Sequence, residues 1–291
     1  MNPFLDRECF LCITRLALNL STLTSSSEKE IVDGALELSE DFAKVVKGRL
    51  SDYVELSSSI AEAVARRLGD PYALIKKVSM ETATRLLPLA ERYVSGGEDT
   101  LRRAASVAVT ANALDFATGV YNVSLEVFAV EFERKLSEPF TIDHLDQLER
   151  DLEKAGTVLY VLDNAGECVL DLPLVKLLSG RAETIVAARG APVFNDATIM
   201  EAEAAGLGKY AELTTTGCRV PGVSTLRCSA EFLQLLADAD VVILKGQGNF
   251  QSFYEVAKVR GERAYYLLVP KCAPVARHLG VPVGSKVALA R

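Results

Sequence analysis

The chain has 291 residues, 49% apolar and 24% charged, which excludes collagen, disordered and small disulfide-framework proteins and allows one large core or two smaller ones. A formal net charge of −7 without a dense Lys/Arg run argues against nucleic acid as a partner, while small anionic ligands stay open because a local site on an acidic protein can be positive. No apolar stretch reaches the roughly 18 residues of a membrane span, so no membrane partner is expected.

The chain opens with MNPFLDRECF, where Asp6, Arg7 and Glu8 interrupt any secretory signal. The six cysteines (Cys9, Cys12, Cys168, Cys218, Cys228, Cys272) are sparse enough to fit reduced thiols, and the cytoplasm is the expected compartment. As far as Gly156 the periodicity is helical. Ile31, Ala35, Leu38, Phe42 and Val45 mark one buried helix face, and Ser27 to Glu30 reads as its capping box. Asp70-Pro71 opens a helix through Leu87, and Gly96-Gly97 breaks the next connection. Thr141 or Asp143 caps a segment that turns Ile142, Leu145, Leu148 and Leu152 inward. About six helices are predicted for this half.

After Gly156 the pattern changes to short β-branched runs: TVLYVLD (157–163), TIVAAR (184–189), ADVVILKG (239–246) and AYYLLV (264–269). Continuous apolarity predicts strands covered on both faces, hence a mostly parallel sheet between helices. The expected fold class is α/β, with a helical region over 1–150 and an α/β domain over 151–291. No Pro/Gly/Ser-rich linker separates them, so the two are expected to pack together.

Ligands of open α/β sheets bind beyond the carboxyl ends of the strands, which directs attention to the strand tips. Asp163, Asn164 and Asp196 offer hard oxygen donors suited to Mg²⁺ or a similar dication, without the Cys/His set of a zinc site. The same two aspartates could instead cap the helices that follow them. Lys245-Gly-Gln-Gly-Asn places a positive charge beside backbone N–H groups able to face an anion, or forms an ordinary tight turn. It is not a Walker loop, and no G-x-G-x-x-G follows a strand. Asn112 and Asp115 share one face of an apolar helix and either cap a neighbouring loop or close the site from the helical half. Thr216-Gly217 and Pro221-Gly222 frame a further loop, between the strand-like AELTT and the helix near Ser229 to Ala237, in a position to finish the pocket or as an ordinary turn. Cys9-x-x-Cys12 has no second pair at zinc-finger spacing and is read as structural. His144 and His278 have no neighbouring nucleophile, which argues against Ser/His or Cys/His hydrolysis.

Taken together, LDNAGE at 162–167, PVFNDAT at 192–198, TG-x-x-x-PG at 216–222, KGQGNF at 245–250 and KCAPVA at 271–276 resemble the DUF89, or damage-control phosphatase, family. DPY at 70–72, NALD at 112–115 and the early CxxC extend the resemblance over nearly the whole chain and match its archaeal type. The resemblance implies a Rossmann-like domain carrying a helical region. It also implies a phosphatase dependent on a divalent metal (Mg²⁺, Mn²⁺, Co²⁺ or Ni²⁺) that acts on small phosphorylated metabolites such as damaged sugar phosphates. By position, Asp163, Asn164 and Asp196 match the metal ligands and Lys245 the phosphate-contacting lysine. Glu167 joins Asp163 and Lys245 as a catalytic candidate, while Asn112, Asp115, Asn195, Gly217, Gly246 and Asn249 are the substrate-side candidates. Gln251 departs from the family, which commonly carries Glu there.

The expected mechanism holds the phosphate between the metal and Lys245, with metal-activated water as nucleophile. An aspartyl-phosphate route through Asp163 competes with it, although Ala165 stands where that route's second aspartate belongs. Two other readings are an S-adenosylmethionine-dependent carboxyl methyltransferase, an activity attributed to a relative in this family, and a non-enzymatic metal or metabolite sensor using Cys9 and Cys12. The sequence carries no signal of oligomeric state.

Overall fold

The computed structural model describes residues 4–47, 52–113, 125–261 and 263–291. Its first half is helical: α1 (Arg7–Thr24), α2 (Glu28–Val46), α3 (Tyr53–Leu68), α4 (Ala73–Ser95), α5 (Thr100–Ala113) and α6 (Leu125–Leu136). Local chemistry sets the boundaries. Ser27 and Glu30 exchange side-chain and backbone hydrogen bonds in the capping box that starts α2. The Asp52 carboxylate accepts from Val54 N and Glu55 N at the head of α3, and Gly69, with φ 70°, ends that helix. On α2 only Leu38 and Phe42 of the predicted apolar face are fully buried; Ile31, Ala35 and Val45 stay half-buried against α1.

The second half alternates: β1 (Phe140–Asp143), α7 (Leu145–Leu152), β2 (Thr157–Val161), α8 (Ala165–Leu170), α9 (Leu172–Ser179), β3 (Glu183–Ala188), α10 (Ile199–Ala204), β4 (Glu212–Thr215), α11 (Ala230–Asp238), β5 (Val241–Lys245), α12 (Gly246–Gln251), α13 (Phe253–Arg260), β6 (Tyr265–Leu268), α14 (Ala273–Leu279) and β7 (Lys286–Ala290). Among the described residues these strands form one seven-stranded sheet in the order β1-β7-β6-β5-β2-β3-β4. Every pairing is parallel except that of β6 with β7.

Each central strand buries both faces. Val158, Tyr160, Val186 and Ile243 pack beneath α5, α7 and α9, while Leu159, Val161, Val242 and Leu244 pack against Phe232, Phe250, Phe253 and Val275 of α11 to α14. This is the three-layer α/β arrangement the apolar runs require. Leu101, Ala105 and Ala108 of α5 belong to the same core as the sheet, so the helical half is fastened directly onto it.

Two strands are additions to the sequence reading. β1 lies inside the stretch read as helical, and its four residues alternate between half-buried and exposed, too short a run to show as a period. β7 joins it to the sheet edge. Among the described residues no helix is long and apolar enough to cross a membrane.

Candidate active site

The chain leaves β2 toward β3 on one side, while β5 occupies the other, so the strand order reverses between β2 and β5. That switch point is where the carboxyl ends of an open sheet form a crevice. β2 delivers Asp163 and Asn164, β5 delivers Lys245, and β3 delivers Arg189 followed by the turn to Asp196. The turn is zipped onto the tip of β2. Ala197 N donates to Asp163 O at 2.7 Å, Ala165 N donates to Asn195 O at 2.9 Å, and Asn164 and Asp196 form an isolated antiparallel bridge. Backbone pairing thus brings the three predicted metal-binding residues together.

The side chains form one network. From α5, Asn112 Nδ2 donates to Asp163 Oδ2 and to Glu167 Oε1, each at 2.9 Å, while its Oδ1 accepts from Val269 N at 2.9 Å. Asn164 Nδ2 donates to the same two carboxylates, at 3.0 and 2.5 Å. The other oxygen of Glu167 accepts from Lys245 Nζ at 3.2 Å, and Asp171 Oδ1 accepts from it at 2.8 Å. Arg189 donates to Asp196 Oδ2 at 2.7 Å, to Gly222 O at 3.0 Å and to Asn249 Oδ1 at 3.1 Å. Asn249 in turn donates to Leu162 O and Lys245 O, tying the tips of β2 and β5 together.

Four buried carboxylates, Asp163, Glu167, Asp171 and Asp196, thus meet two buried cations in direct contact, Lys245 and Arg189. Burial, then the charges of Glu167 and Asp196, push Asp163 well above the ordinary carboxylate range, against the pull of Lys271 and Arg189. Burial also raises Asp196, although Arg189 and Lys76 oppose it. Asp171 is pushed up to about 6 by burial, with Lys245 acting in the opposite direction. Burial disfavours the Lys245 charge, yet Asp171 and Glu167 hold its ammonium above the usual lysine value.

The donor set fits a hard dication. Among the described residues, Asp163 Oδ1, Asn164 Oδ1 and Asp196 Oδ1 accept no hydrogen bond, while the second oxygen of each aspartate is already held. No group of three His, Cys, Asp or Glu side chains among those residues is arranged to hold a metal, so an ion here would draw on the Asn164 amide oxygen and on water or substrate. Positive charge at this point would relieve the repulsion that raises Asp163.

The other expected residues fall into place differently. Asp115 lies outside the described residues. Lys245, expected to contact phosphate, is fully buried and turned toward Glu167 and Asp171. Residues 246–251 form the short helix α12 rather than an open loop. Gly246, at φ 78°, leaves room for the Asp163 carboxylate, Asn249 is buried as a brace, and Gly217 packs on Ser229. Asn195 contributes its backbone carbonyl. Gln251 is buried and accepts from Gln247 Nε2 at 3.3 Å. His144 Nδ1 accepts from Ala290 N, and His278 packs against Phe4 and Phe253, so neither histidine joins the site. Cys9 Sγ donates to Phe4 O, and Cys12 is exposed.

Sequence reasoning missed Asp171 and Lys76, and it gave no site role to Arg189, at the end of the run 184–189, or to Lys271, the first residue of KCAPVA. Arg189 and Asp171 have a legible signal, a charge placed within or beside an apolar run that no surface position explains. Lys271 is marked only by the motif KCAPVA, and Lys76 by nothing local. The glycine after β2 serves helix packing, since a Cβ on Gly166 would lie 2.8 Å from Ser79 Cβ.

Fold and site define an α/β protein that gathers carboxylates, amides and buried cations at the switch point of a mostly parallel sheet. The chain belongs to the damage-control phosphatase ARMT1-like domain family, whose match spans residues 5–287. It is 36% identical over 188 residues to damage-control phosphatase PH1575 of Pyrococcus horikoshii, a match covering 64% of this chain and 63% of that protein. The chain therefore spans less than two thirds of that relative in alignment. It is 34% identical over 216 residues to a damage-control phosphatase of Archaeoglobus fulgidus, covering 74% of this chain and 73% of that one. Over 295 residues it is 30% identical to uncharacterized protein MJ0202 of Methanocaldococcus jannaschii, covering 98% and 94%. The crystal structure of the DUF89 family protein PH1575 of P. horikoshii superposes with a TM-score of 0.83 at 28% identity, covering 98% of both chains.

Proposed function

We propose that this chain is a divalent-metal-dependent phosphatase acting on small phosphorylated metabolites, sugar phosphates or related damaged metabolites. The names of two relatives support the phosphatase role. The observation that carries the metal is the cluster itself: buried carboxylates in excess of their cations, with Asp163, Asn164 and Asp196 each keeping one oxygen outside any hydrogen bond among the described residues. A dication held by these three supplies Lewis acidity to the phosphoryl group and to water.

The protein's own residues then have distinct tasks. Asn112 and Asn164 fix the orientation of Asp163, and Arg189 fixes that of Asp196. Lys245 holds Glu167 in place and keeps a positive charge beneath the site. Lys271, exposed and close enough to offset the Asp163 charge, is the cation we assign to a phosphate oxygen at the rim.

The test is phosphate release over a panel of sugar phosphates and nucleotides with Mg²⁺, Mn²⁺, Co²⁺ or Ni²⁺, with and without chelator. Release that stops with chelator, returns with metal and falls at least ~10²-fold in Asp163→Asn is the expected result. Release indifferent to chelator overturns the metal-centred reading. A phosphoenzyme trapped on Asp163 replaces attack by water with the aspartyl route.

A further inference from the structure

The loop of residues 216–229, between β4 and α11, carries two cysteines that the proposed reaction does not use. Cys218 Sγ lies 3.0 Å from Cys228 Sγ. A disulfide bond is about 2.05 Å long, so roughly an ångström of approach separates contact from covalent closure. The loop is already folded back to hold the sulfurs there. Ser229 N donates to Thr216 O and Cys228 N to Ser224 O, both at 3.0 Å, and Ser224 N donates to Cys228 Sγ at 3.4 Å. Val54 of α3 and Val220 pack against Cys218 from the apolar side.

This loop is also a wall of the candidate site. Gly190 N donates to Cys218 O at 3.0 Å, and a Cβ on Gly190 would lie 2.5 Å from Cys218 N. Arg189, which holds Asp196, donates to Gly222 O in the same loop at 3.0 Å. The CxxC spacing draws attention to Cys9 and Cys12, but among the described residues it is Cys218 and Cys228 whose sulfurs meet.

We propose that Cys218 and Cys228 are a redox pair that closes into a disulfide across this loop, with a low-molecular-weight disulfide as the oxidant. The Cys218 thiolate attacks one sulfur of the oxidant, whose S–S bond breaks and releases one thiolate. The Cys228 thiol gives its proton to that thiolate or to solvent, and its sulfur displaces the second half of the oxidant from Cys218. Two electrons pass from the protein dithiol to the oxidant, which leaves as two thiols. Because the sulfurs start in contact, closure fastens the loop in the conformation that already supports Arg189.

The environments of the two sulfurs suit these roles. The hydrogen bond from Cys228 brings Cys218 down to about 7 against the opposing effect of burial, with Thr216 and Arg189 assisting, whereas that same contact and burial push Cys228 up. One sulfur is thus available as thiolate near neutral pH and the other waits as thiol.

The experiment treats the full-length protein with oxidised glutathione under native conditions, blocks remaining thiols by alkylation and maps the digest by mass spectrometry. The expected product is one peptide pair joined between Cys218 and Cys228, lighter by two hydrogens, free of glutathione and opened by dithiothreitol. In Cys228→Ser the reaction should stop with glutathione retained on Cys218. Wild-type protein that keeps glutathione on Cys218, leaves both cysteines open to alkylation, or pairs either with another cysteine overturns the proposal. The wild-type map decides by itself, so it stands even where a variant does not fold.

Discussion

Gly246 stands so close to Asp163 that a Cβ on it would lie 1.8 Å from Asp163 Oδ2. Its φ of 78° independently favours glycine, so the backbone turn after β5 and the space for the β2 carboxylate are one requirement. Gly246→Ala should lose about 1–3 kcal/mol through the backbone alone and also push Asp163 away from Asn112 and Asn164. Gly261→Ala is the matched control, since Gly261 has φ 67° but nothing within 4 Å of an added Cβ. Urea unfolding should report a loss in both, whereas calorimetric titration with Mn²⁺ should report weakened binding only in Gly246→Ala. Equal Mn²⁺ affinity in the two variants would contradict the proposed role of Asp163.

The raised Asp163 pKa fixes the sign of a pH effect. The folded protein keeps a proton that the unfolded chain releases near about pH 4, so stability falls as pH rises from there through the folded pKa, by at most ~1.4 kcal/mol per unit for one group. Asp171, pushed up to about 6, adds to that fall between the ordinary carboxylate range and about 6. Asp163→Asn removes the Asp163 share. Without metal at neutral pH its Tm should equal or exceed that of the wild type, with the gap narrowing on acidification, while Mn²⁺ should raise only the wild-type Tm. Thermal melts with and without chelator check both; a gap that widens in acid contradicts the sign.

Lys245 raises a question that kinetics can answer, because its ammonium is buried between Glu167 and Asp171. Lys245→Met leaves two carboxylates facing an apolar side chain and should cost about 3–5 kcal/mol. Adding Asp171→Asn removes one stranded charge and should restore part of that loss, a coupling that a double-mutant cycle measures. If Lys245 acts by holding Glu167, the folded variant should lose kcat with little change in KM. A rise in KM alone would return it to the direct phosphate contact implied by the family resemblance.

The sheet and the strand tips were legible because apolar runs of five or more residues leave few choices: the runs at 157–163, 184–189, 239–246 and 264–269 became β2, β3, β5 and β6. β1 and β7 were not, since FTID and KVALA are short pieces, β1 at the sheet edge and β7 between it and β6, whose pairing with each other spans 140 residues or more of chain. Asp163, Asn164 and Asp196 could be named together from the sequence, but not what surrounds them. That Asn112 reaches Asp163 depends on how α5 crosses the sheet, and that Lys245 points down to Asp171 depends on a rotamer. Neither is encoded locally. The Cys218 and Cys228 contact depends on a loop closing over ten residues, which no periodicity reports.

Arg189 is the residue on which the Asp196 side of the site turns. It is buried, and its guanidinium reaches Asp196, Gly222 and Asn249 at once, a fan that a single ammonium cannot reproduce. Arg189→Lys keeps the charge for Asp196 but leaves Gly222 O or Asn249 Oδ1 without its donor, a loss of about 1–3 kcal/mol. Arg189→Met strands the Asp196 carboxylate as well and should cost about 3–5 kcal/mol at neutral pH. The two should also differ in pH dependence. Without a neighbouring cation Asp196 holds a proton to higher pH, so the extra loss in Arg189→Met should shrink as pH falls and the carboxyl becomes neutral, while that in Arg189→Lys should change little. Urea unfolding at two pH values, one near neutrality and one in the acid range, measures both losses. Equal losses at neutral pH, or a Met variant indifferent to pH, would mean that Arg189 supports the loop and not the carboxylate.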